Sequence, residues 1–289
     1  MHEITVPAEM HAWSRAERKR GRRVGFVPTM GFLHEGHMRL VDRAKERTDR
    51  VVLSIFVNPL QFGAGEDYGS YPRDLARDRT LAAERGVDCL FVPEAAAMYP
   101  ETPLVRIHAG PMAERLEGAA RPGHFDGVLT VVAKLFHLVE PDIAVFGRKD
   151  FQQAILVRRM AADLDFALEI DVAPTVRELD GLALSSRNSY LTGDERRAAV
   201  ALSRALRAVE QAWRGGQADP AALAQRGMEV LRGPGVTPEY VALVGDDLRP
   251  VSHADARTVV AVAAAVGRTR LIDNVVLGEG VAADIAVRG

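Results

Sequence analysis

Two imidazoles three residues apart, His34 and His37, close the stretch Pro28-Thr-Met-Gly-Phe-Leu-His-Glu-Gly-His37. An apolar run, Val24-Gly-Phe-Val27, precedes it. The pattern predicts a short buried strand over 24–27, a turn at 28–31 and a helix opening near Gly36 and His37. On a helix start this spacing puts both rings on one side. The unpaired N–H groups of a first helical turn, with the positive end of the dipole, favour a phosphate. Gly36 removes a side chain between the rings, so a flat or charged ligand can come close to the backbone. Three readings fit these residues: a solvated helix start with two incidental histidines, a metal site, or a phosphate-binding turn. Zinc fits poorly. Zinc-protease helices carry H-E-x-x-H, at i and i+4, whereas His-Glu-Gly-His is i, i+3 with a glycine where a helix former is wanted.

The third reading coincides with the H-x-G-H signature of nucleotidyl-transferring enzymes, whose histidines hydrogen-bond the triphosphate of ATP. Other polar groups recur at the ends of apolar runs: Asn58 and Gln61, then Lys149, Asp150, Gln152 and Gln153, then Leu184-Ser-Ser-Arg187. Cationic and neutral donors of this kind suit phosphoryl chemistry, which depends on positioning and charge neutralisation. Gln61 and Gln153 could hold a hydroxylated carboxylate, although a glutamine taken singly is more often a surface residue. The chain has no Gly-x-x-x-x-Gly-Lys-Ser/Thr loop, no Gly-x-Gly-x-x-Gly after the first strand and no Gly-x-Ser-x-Gly elbow, which counts against P-loop kinases, dinucleotide enzymes and α/β-hydrolases.

These residues need a scaffold, and the chain predicts an alternating one. Val51-Val-Leu-Ser-Ile-Phe-Val57 reads as a strand covered on both faces. A helix over 72–85, a strand over 88–92 and a short strand over 104–108 follow. Val128, Val131, Val132, Leu135, Phe136 and Val139 form one helical stripe that Pro141 stops. A strand over 142–146, a helix over 151–163 and a strand ending near Ala173 complete the series. Alternating strands and helices imply right-handed βαβ units and a parallel sheet, with ligands beyond the carboxyl ends of the strands. The loops 28–37, 58–61 and 147–150 all belong there. After Pro174 the pattern changes: Thr192-Gly-Asp-Glu195 is a capping box opening a long helix that Gly215-Gly216 ends, Asp219-Pro220 caps another, and runs over 257–266 and 271–277 read as a hairpin. The expected fold is therefore α/β: a Rossmann-like parallel sheet over 1–175, followed by a smaller α+β domain over 176–289 that would clamp the ligand.

Composition narrows the class further. At 289 residues two domains are expected; 47% hydrophobic and 26% charged residues mark an ordinary globular chain. A net charge of −2 offers no global attraction to nucleic acid or anionic membrane. The basic group Arg15, Arg18, Lys19, Arg20, Arg22 and Arg23 reads as a solvated face at the end of a first helix. Cys89 sits in an apolar run as a buried small hydrophobe. Without a signal-peptide pattern or a membrane-length apolar run, a cytoplasmic protein is expected.

Five stretches occur in order: Pro28 to His37 as above, Phe56-Val-Asn-Pro-Leu-Gln-Phe62, Arg121-Pro-Gly-His-Phe-Asp-Gly127, Gly147-Arg-Lys-Asp-Phe-Gln-Gln153 and Gly181-Leu-Ala-Leu-Ser-Ser-Arg-Asn188. Together they resemble the pantoate–β-alanine ligase family, within the H-x-G-H nucleotidyltransferases, over about 24–274. The resemblance implies condensation of pantoate with β-alanine at the expense of ATP, giving pantothenate, AMP and pyrophosphate on the route to coenzyme A, and a homodimer. It assigns ATP to Met30, Gly31, Phe32, Leu33, His34, Glu35, Gly36 and His37, and to Gly147, Arg148, Lys149, Asp150, Val176, Leu184, Ser185, Ser186 and Arg187. His34, His37, Lys149 and Arg187 would serve the chemistry, with Mg²⁺ carried on the ATP phosphates and no metal held by the protein. Gln61 and Gln153 would bind pantoate, with Gln61 also near β-alanine. Two positions depart from the family's usual pattern. Arg148 stands where glutamate is commoner, adding positive charge beside Lys149, and Phe32 stands where a small residue is commoner. Another nucleotidyltransferase is the competing enzyme reading, though a tRNA substrate would want a denser basic face. A non-catalytic nucleotide-binding regulator and a metal hydrolase are the remaining alternatives.

Overall fold

The computed structural model describes residues 1–287, so the last two residues of the expected C-terminal domain, 288–289, lie outside it. The chain divides into two compact units. One comprises Met1–Gly147 and Gln153–Ala173, the other Arg148–Gln152 and Pro174–Gly289.

The first unit runs β1 (His2–Ile4), α1 (Pro7–Lys19), β2 (Val24–Thr29), α2 (Glu35–Lys45), β3 (Arg50–Ile55), α3 (Leu75–Glu84), β4 (Cys89–Phe91), α4 (Ala95–Met98), α5 (Glu117–Ala120), α6 (His124–Val139), β5 (Ile143–Gly147), α7 (Phe151–Asp163) and β6 (Glu169–Ala173). Its six strands are all parallel, in the order β1-β4-β3-β2-β5-β6. The expected Rossmann-like sheet is what forms. Val24, Phe26, Val27, Val52, Leu53, Leu90, Ile143 and Ala144 are buried, as strands covered on both faces must be. Cys89 is buried among them, and that burial pushes its thiol up to about 12, leaving it an unreactive hydrophobe. Chain order reverses at β2, whose neighbours are β3 on one side and β5 on the other, and the crevice beyond such a point is where α/β sheets take ligands.

The second unit runs β7 (Val176–Glu178), α8 (Gly193–Ala199), α9 (Ala201–Arg214), α10 (Pro220–Leu231), β8 (Val236–Val244), β9 (Val259–Val266), β10 (Thr269–Val276) and β11 (Ile285–Val287). Strands β10-β9-β8 form an antiparallel sheet against which Leu202, Leu206, Val209, Leu223 and Leu231 pack. Strand β11 pairs in parallel with β7.

Several local expectations are corrected. No strand forms over 104–108: Leu104 and Val105 are 97% and 86% exposed, and β-branched content cannot make a strand without a partner edge. The helix expected from Pro72 starts at Leu75, because Asp74 accepts from the Arg77 N–H and sets the cap there. The capping box forms, with Thr192 N donating to Glu195 and Glu195 N to Thr192 Oγ1, but its single long helix is two, α8 and α9, meeting at Val200. The basic group is not merely solvated. Arg20 and Arg22, with Arg50 from β3, donate to buried Glu17 at 2.5, 2.6 and 3.0 Å. Strands β1, β7, β8 and β11 carry too little pattern of their own to stand out in the sequence.

Candidate active site

Loops leave β2 and β3 side by side at their carboxyl ends, and they carry His34, His37, Asn58 and Gln61. The loop after β2 is held by its own backbone. Thr29 Oγ1 donates to the Ser54 carbonyl at 2.7 Å and accepts the Gly31 N–H at 3.1 Å. Gly31 and Phe32 then take φ of +84° and +50°. The second value is costly for a side chain-bearing residue, a physical reason for a small residue to be commoner there. The Phe32 ring gains a cation–π contact in return, with the Arg77 guanidinium 5.5 Å from its centroid.

Asp78 on α3, which no motif in the sequence marked, completes the turn. Its two oxygens accept the N–H groups of Phe32 and Leu33 at 2.8 and 2.7 Å. Burial pushes its carboxyl pKa up while these two donors pull it down. The turn delivers His34 to the N-cap of α2, with Glu35, Gly36 and His37 in the first turn. The two rings stack, centroids 4.0 Å apart. The backbone N–H of His34 donates to His37 Nδ1 at 3.3 Å. A nitrogen that accepts cannot also carry hydrogen, so a neutral His37 bears its proton on Nε2 and is a donor there.

Gln61 closes the short 3₁₀ turn Pro59–Gln61 after β3 and is buried. Its amide donates to Met30 Sδ at 3.3 Å and accepts from Asn58 Nδ2 at 3.1 Å. Asn58 also donates to the Gly127 carbonyl and accepts from the Tyr99 hydroxyl. The Arg-Pro-Gly-His motif holds the same turn from behind. His124 Nδ1 lies 2.8 Å from the Gln61 carbonyl and Nε2 lies 3.0 Å from Arg121 Nη1. Arginine only donates and a carbonyl only accepts, so His124 is neutral with its proton on Nδ1. Burial and the Arg121 charge bring its pKa down to about 4. Arg121 itself forks onto Glu66 at 2.7 and 2.6 Å, holding that carboxyl down at about 2. Gly127 on α6 is needed for close approach, since a Cβ there would lie 2.2 Å from the Leu60 carbonyl oxygen. Gln153 is half-buried in the first turn of α7, and Gly147 ends β5. Asp78, Asn58, Tyr99, Glu66, Arg121 and His124 are thus the positioning residues that the sequence reading did not assign.

In the second unit, Lys149 and Asp150 lie in the turn Arg148–Asp150, with Lys149 Nζ 3.7 Å from Asp150. Arg148 does not add a free charge beside Lys149 as expected: its guanidinium is buried and engaged by Glu279 and, at 2.9 Å, by Asp284. Val176 is buried on β7 and its carbonyl accepts the Leu184 N–H. Ser185 caps the 3₁₀ turn Ser186–Tyr190 by accepting from Arg187 N at 3.3 Å, which orders the Leu184-Ser-Ser-Arg187 stretch. Among the described residues no three His, Cys, Asp or Glu side chains gather to hold a metal ion, and no helix is long and apolar enough to cross a membrane.

The family model described as pantoate–β-alanine ligase matches residues 2–276. The chain belongs to the pantoate–β-alanine ligase family. It is 49% identical over 274 residues to the pantothenate synthetase of Pelotomaculum thermopropionicum, covering 94% of this chain and 97% of the relative. It is 51% identical over 279 residues to that of Heliobacterium modesticaldum, covering 96% and 99%. The crystal structure of pantothenate synthetase from Thermus thermophilus superposes with a TM-score of 0.91 at 49% identity, covering 96% of this chain and 99% of that one. A pantoate–β-alanine ligase from Francisella tularensis, crystallised with βγ ATP and β-alanine, gives 0.81 at 34% identity, covering 97% and 99%. The fold and the resemblance drawn from five motifs both stand. The chain is an enzyme, a ligase of pantothenate biosynthesis that joins pantoate to β-alanine.

Two outcomes follow from this geometry. Asp78→Asn should lower stability by about 1–3 kcal/mol, because an amide sets donors against one of the two turn N–H groups. An unchanged urea midpoint would contradict the role given to Asp78. His124 is neutral in the folded chain down to about pH 4, whereas the unfolded chain takes up the proton near 6.5. The stability tied to it is therefore complete above pH 6.5 and is lost as the pH falls to about 4, by about 3 kcal/mol. His124→Gln can donate to the Gln61 carbonyl and accept from Arg121 without titrating, so it should flatten the stability–pH slope across this window; an equally steep slope would refute the assignment.

Proposed function

We propose that the ligase works through a pantoyl adenylate, consuming ATP and releasing AMP and pyrophosphate. A carboxylate is a poor acyl donor because its leaving group would be oxide. Attack of the pantoate carboxylate on the α-phosphorus of ATP expels pyrophosphate and makes AMP the leaving group. The amine of β-alanine, having lost a proton, then attacks the acyl carbon and AMP departs. Bringing two anions together is the obstacle, and donors aimed at the phosphates offset it.

The single observation that carries this reading is the stacked histidine pair on the N-terminus of α2, with His37 Nδ1 occupied by backbone. Two stacked imidazoles at the N-terminus of an α-helix, where the dipole is positive, are a combination suited to phosphate oxygens. In this reading Met30 to His37, Gly147, Lys149, Asp150, Val176, Leu184, Ser185, Ser186 and Arg187 bind ATP, with Arg148 contributing through its backbone. His34, His37, Lys149 and Arg187 stabilise the charge that develops. Gln61 and Gln153 take pantoate, and Gln61 lies near β-alanine. His34, His37, Lys149 and Arg187 include no carboxylate, so they fit the phosphates rather than a cation, and Mg²⁺ would arrive on ATP's own oxygens. The relative crystallised with βγ ATP and β-alanine supports both substrates. A cytoplasmic homodimer accords with the resemblance.

Pantoate-dependent exchange of pyrophosphate into ATP, without β-alanine, should occur. Turnover to pantothenate with no such exchange would sink the adenylate. His37→Ala should keep the fold and lose at least ~100-fold in that exchange, as for a group stabilising transition-state charge. A near-normal rate would remove His37 from the mechanism.

A further inference from the structure

The segment that follows the family-matched residues 2–276 is tied into the proposed ATP site through a closed circuit of charges. Arg148 begins it, its guanidinium bonded to Glu279 and to Asp284 Oδ1 at 2.9 Å. Asp284 Oδ2 accepts from Arg177 Nε at 2.7 Å. Arg177 forks onto Asp273 at 2.6 and 2.9 Å. The next residue along β10, Asn274, returns to the start: its Nδ2 donates at 2.9 Å to both the Arg148 and the Lys149 carbonyls. Arg177 and Asp273 are each 3% exposed and the Asp284 side chain 2%.

Burying four charges is not a cheap way to stabilise a fold, since apolar residues of the same volume serve as well or better. What such a circuit supplies is direction. Its bonds reach each second-unit segment assigned above to ATP. Asn274 fixes the carbonyls on either side of the Arg148–Lys149 bond. Arg177 Nη1 donates to the Gly181 carbonyl at 3.1 Å, where the loop to Leu184 turns with φ of +100°. Ile285 N donates to the Thr175 carbonyl at 3.0 Å and β11 pairs with β7 opposite Val176, which brings Asp284 beside Arg177. The segment is anchored independently by Val281 N, which donates to Glu210 on α9 at 3.0 Å.

We propose that Arg148, Arg177, Asp273 and Asp284 are positioning residues of the ligase, and that the C-terminal segment, through Asp284 and Glu279, sets the Lys149 turn and the 181–187 loop for ATP. None of the four touches the reacting atoms; they act through Lys149 and the Ser185–Arg187 backbone. The proposal rests on the reading that those two segments bind ATP.

The test is steady-state kinetics of the full-length enzyme with Mg–ATP, pantoate and β-alanine varied in turn, on Asp284→Asn, Arg148→Met and the double variant. The expected result is a KM for ATP raised about 10-fold or more, with the KM values for pantoate and β-alanine within about 2-fold. The double variant should be no worse than the weaker single, because both break one circuit. Asp284→Glu should recover part of the loss. Glu279 is half-exposed and its loss cannot unfold the unit, so Glu279→Gln keeps the test alive if Asp284→Asn does not fold; it should raise the ATP KM by about 2- to 5-fold. An unchanged ATP KM in folded variants, or a fall in kcat alone that matches the lost folded fraction, would overturn the positioning role. Lys149→Ala separates the two layers. If that variant leaves the ATP KM unchanged while the circuit variants raise it, the assignment of Lys149 to ATP fails and the proposal falls with it.

Discussion

The carboxylate of Asp78 captures two backbone N–H groups at the end of β2, and the histidine pair depends on that capture. A parallel sheet ends in loops whose amides have no ladder to join, and buried amides must find acceptors. Here α3 supplies one acceptor group for two consecutive donors. With Phe32 and Leu33 fixed, the chain passes through left-handed φ at Gly31 and Phe32 and meets α2 so that His34 falls on the N-cap. Glycine is required at position 31 because a Cβ would lie 2.8 Å from Ile55 Cγ2. The turn's own donors, the N–H groups of Phe32 and Leu33, are thereby satisfied within the protein.

The same economy governs protonation. His37 and His124 each bond a backbone group through Nδ1, with opposite results. At His37 a backbone N–H occupies Nδ1 and puts the proton on Nε2; at His124 a backbone carbonyl takes the proton on Nδ1 while Arg121 fills Nε2. The second ring has both nitrogens used, so its contribution is to hold Gln61 still, together with Asn58 and the close approach of Gly127.

The parallel sheet was legible because each βαβ unit writes its own periodicity, and the ends of β2, β3 and β5 were legible because polar residues interrupt the apolar strands there. What stayed hidden has one physical origin: the partners are far apart in sequence. Asp78 lies 46 residues from Phe32, and Asp284 lies 107 from Arg177. Nothing local distinguishes such carboxylates from solvated ones. Arg148 shows the converse: beside Lys149 in the chain it reads as one more phosphate cation, yet Glu279 and Asp284 neutralise it. The expected strand over 104–108 failed for a related reason, since β propensity describes a residue that fits a sheet and cannot supply the neighbouring strand. Thr192 to Arg214 broke into two helices at Val200, which a capping box at one end does not foretell.

The central claim is that the pantoate carboxylate is activated by bonding to the α-phosphorus of ATP. The most direct measurement is oxygen tracing with pantoate labelled by ¹⁸O in both carboxylate oxygens, followed by mass spectrometry of the products. An adenylate route predicts one labelled oxygen in AMP and one retained in the amide carbonyl of pantothenate, with unlabelled pyrophosphate. Label in pyrophosphate, or AMP free of label alongside full turnover, would contradict the account.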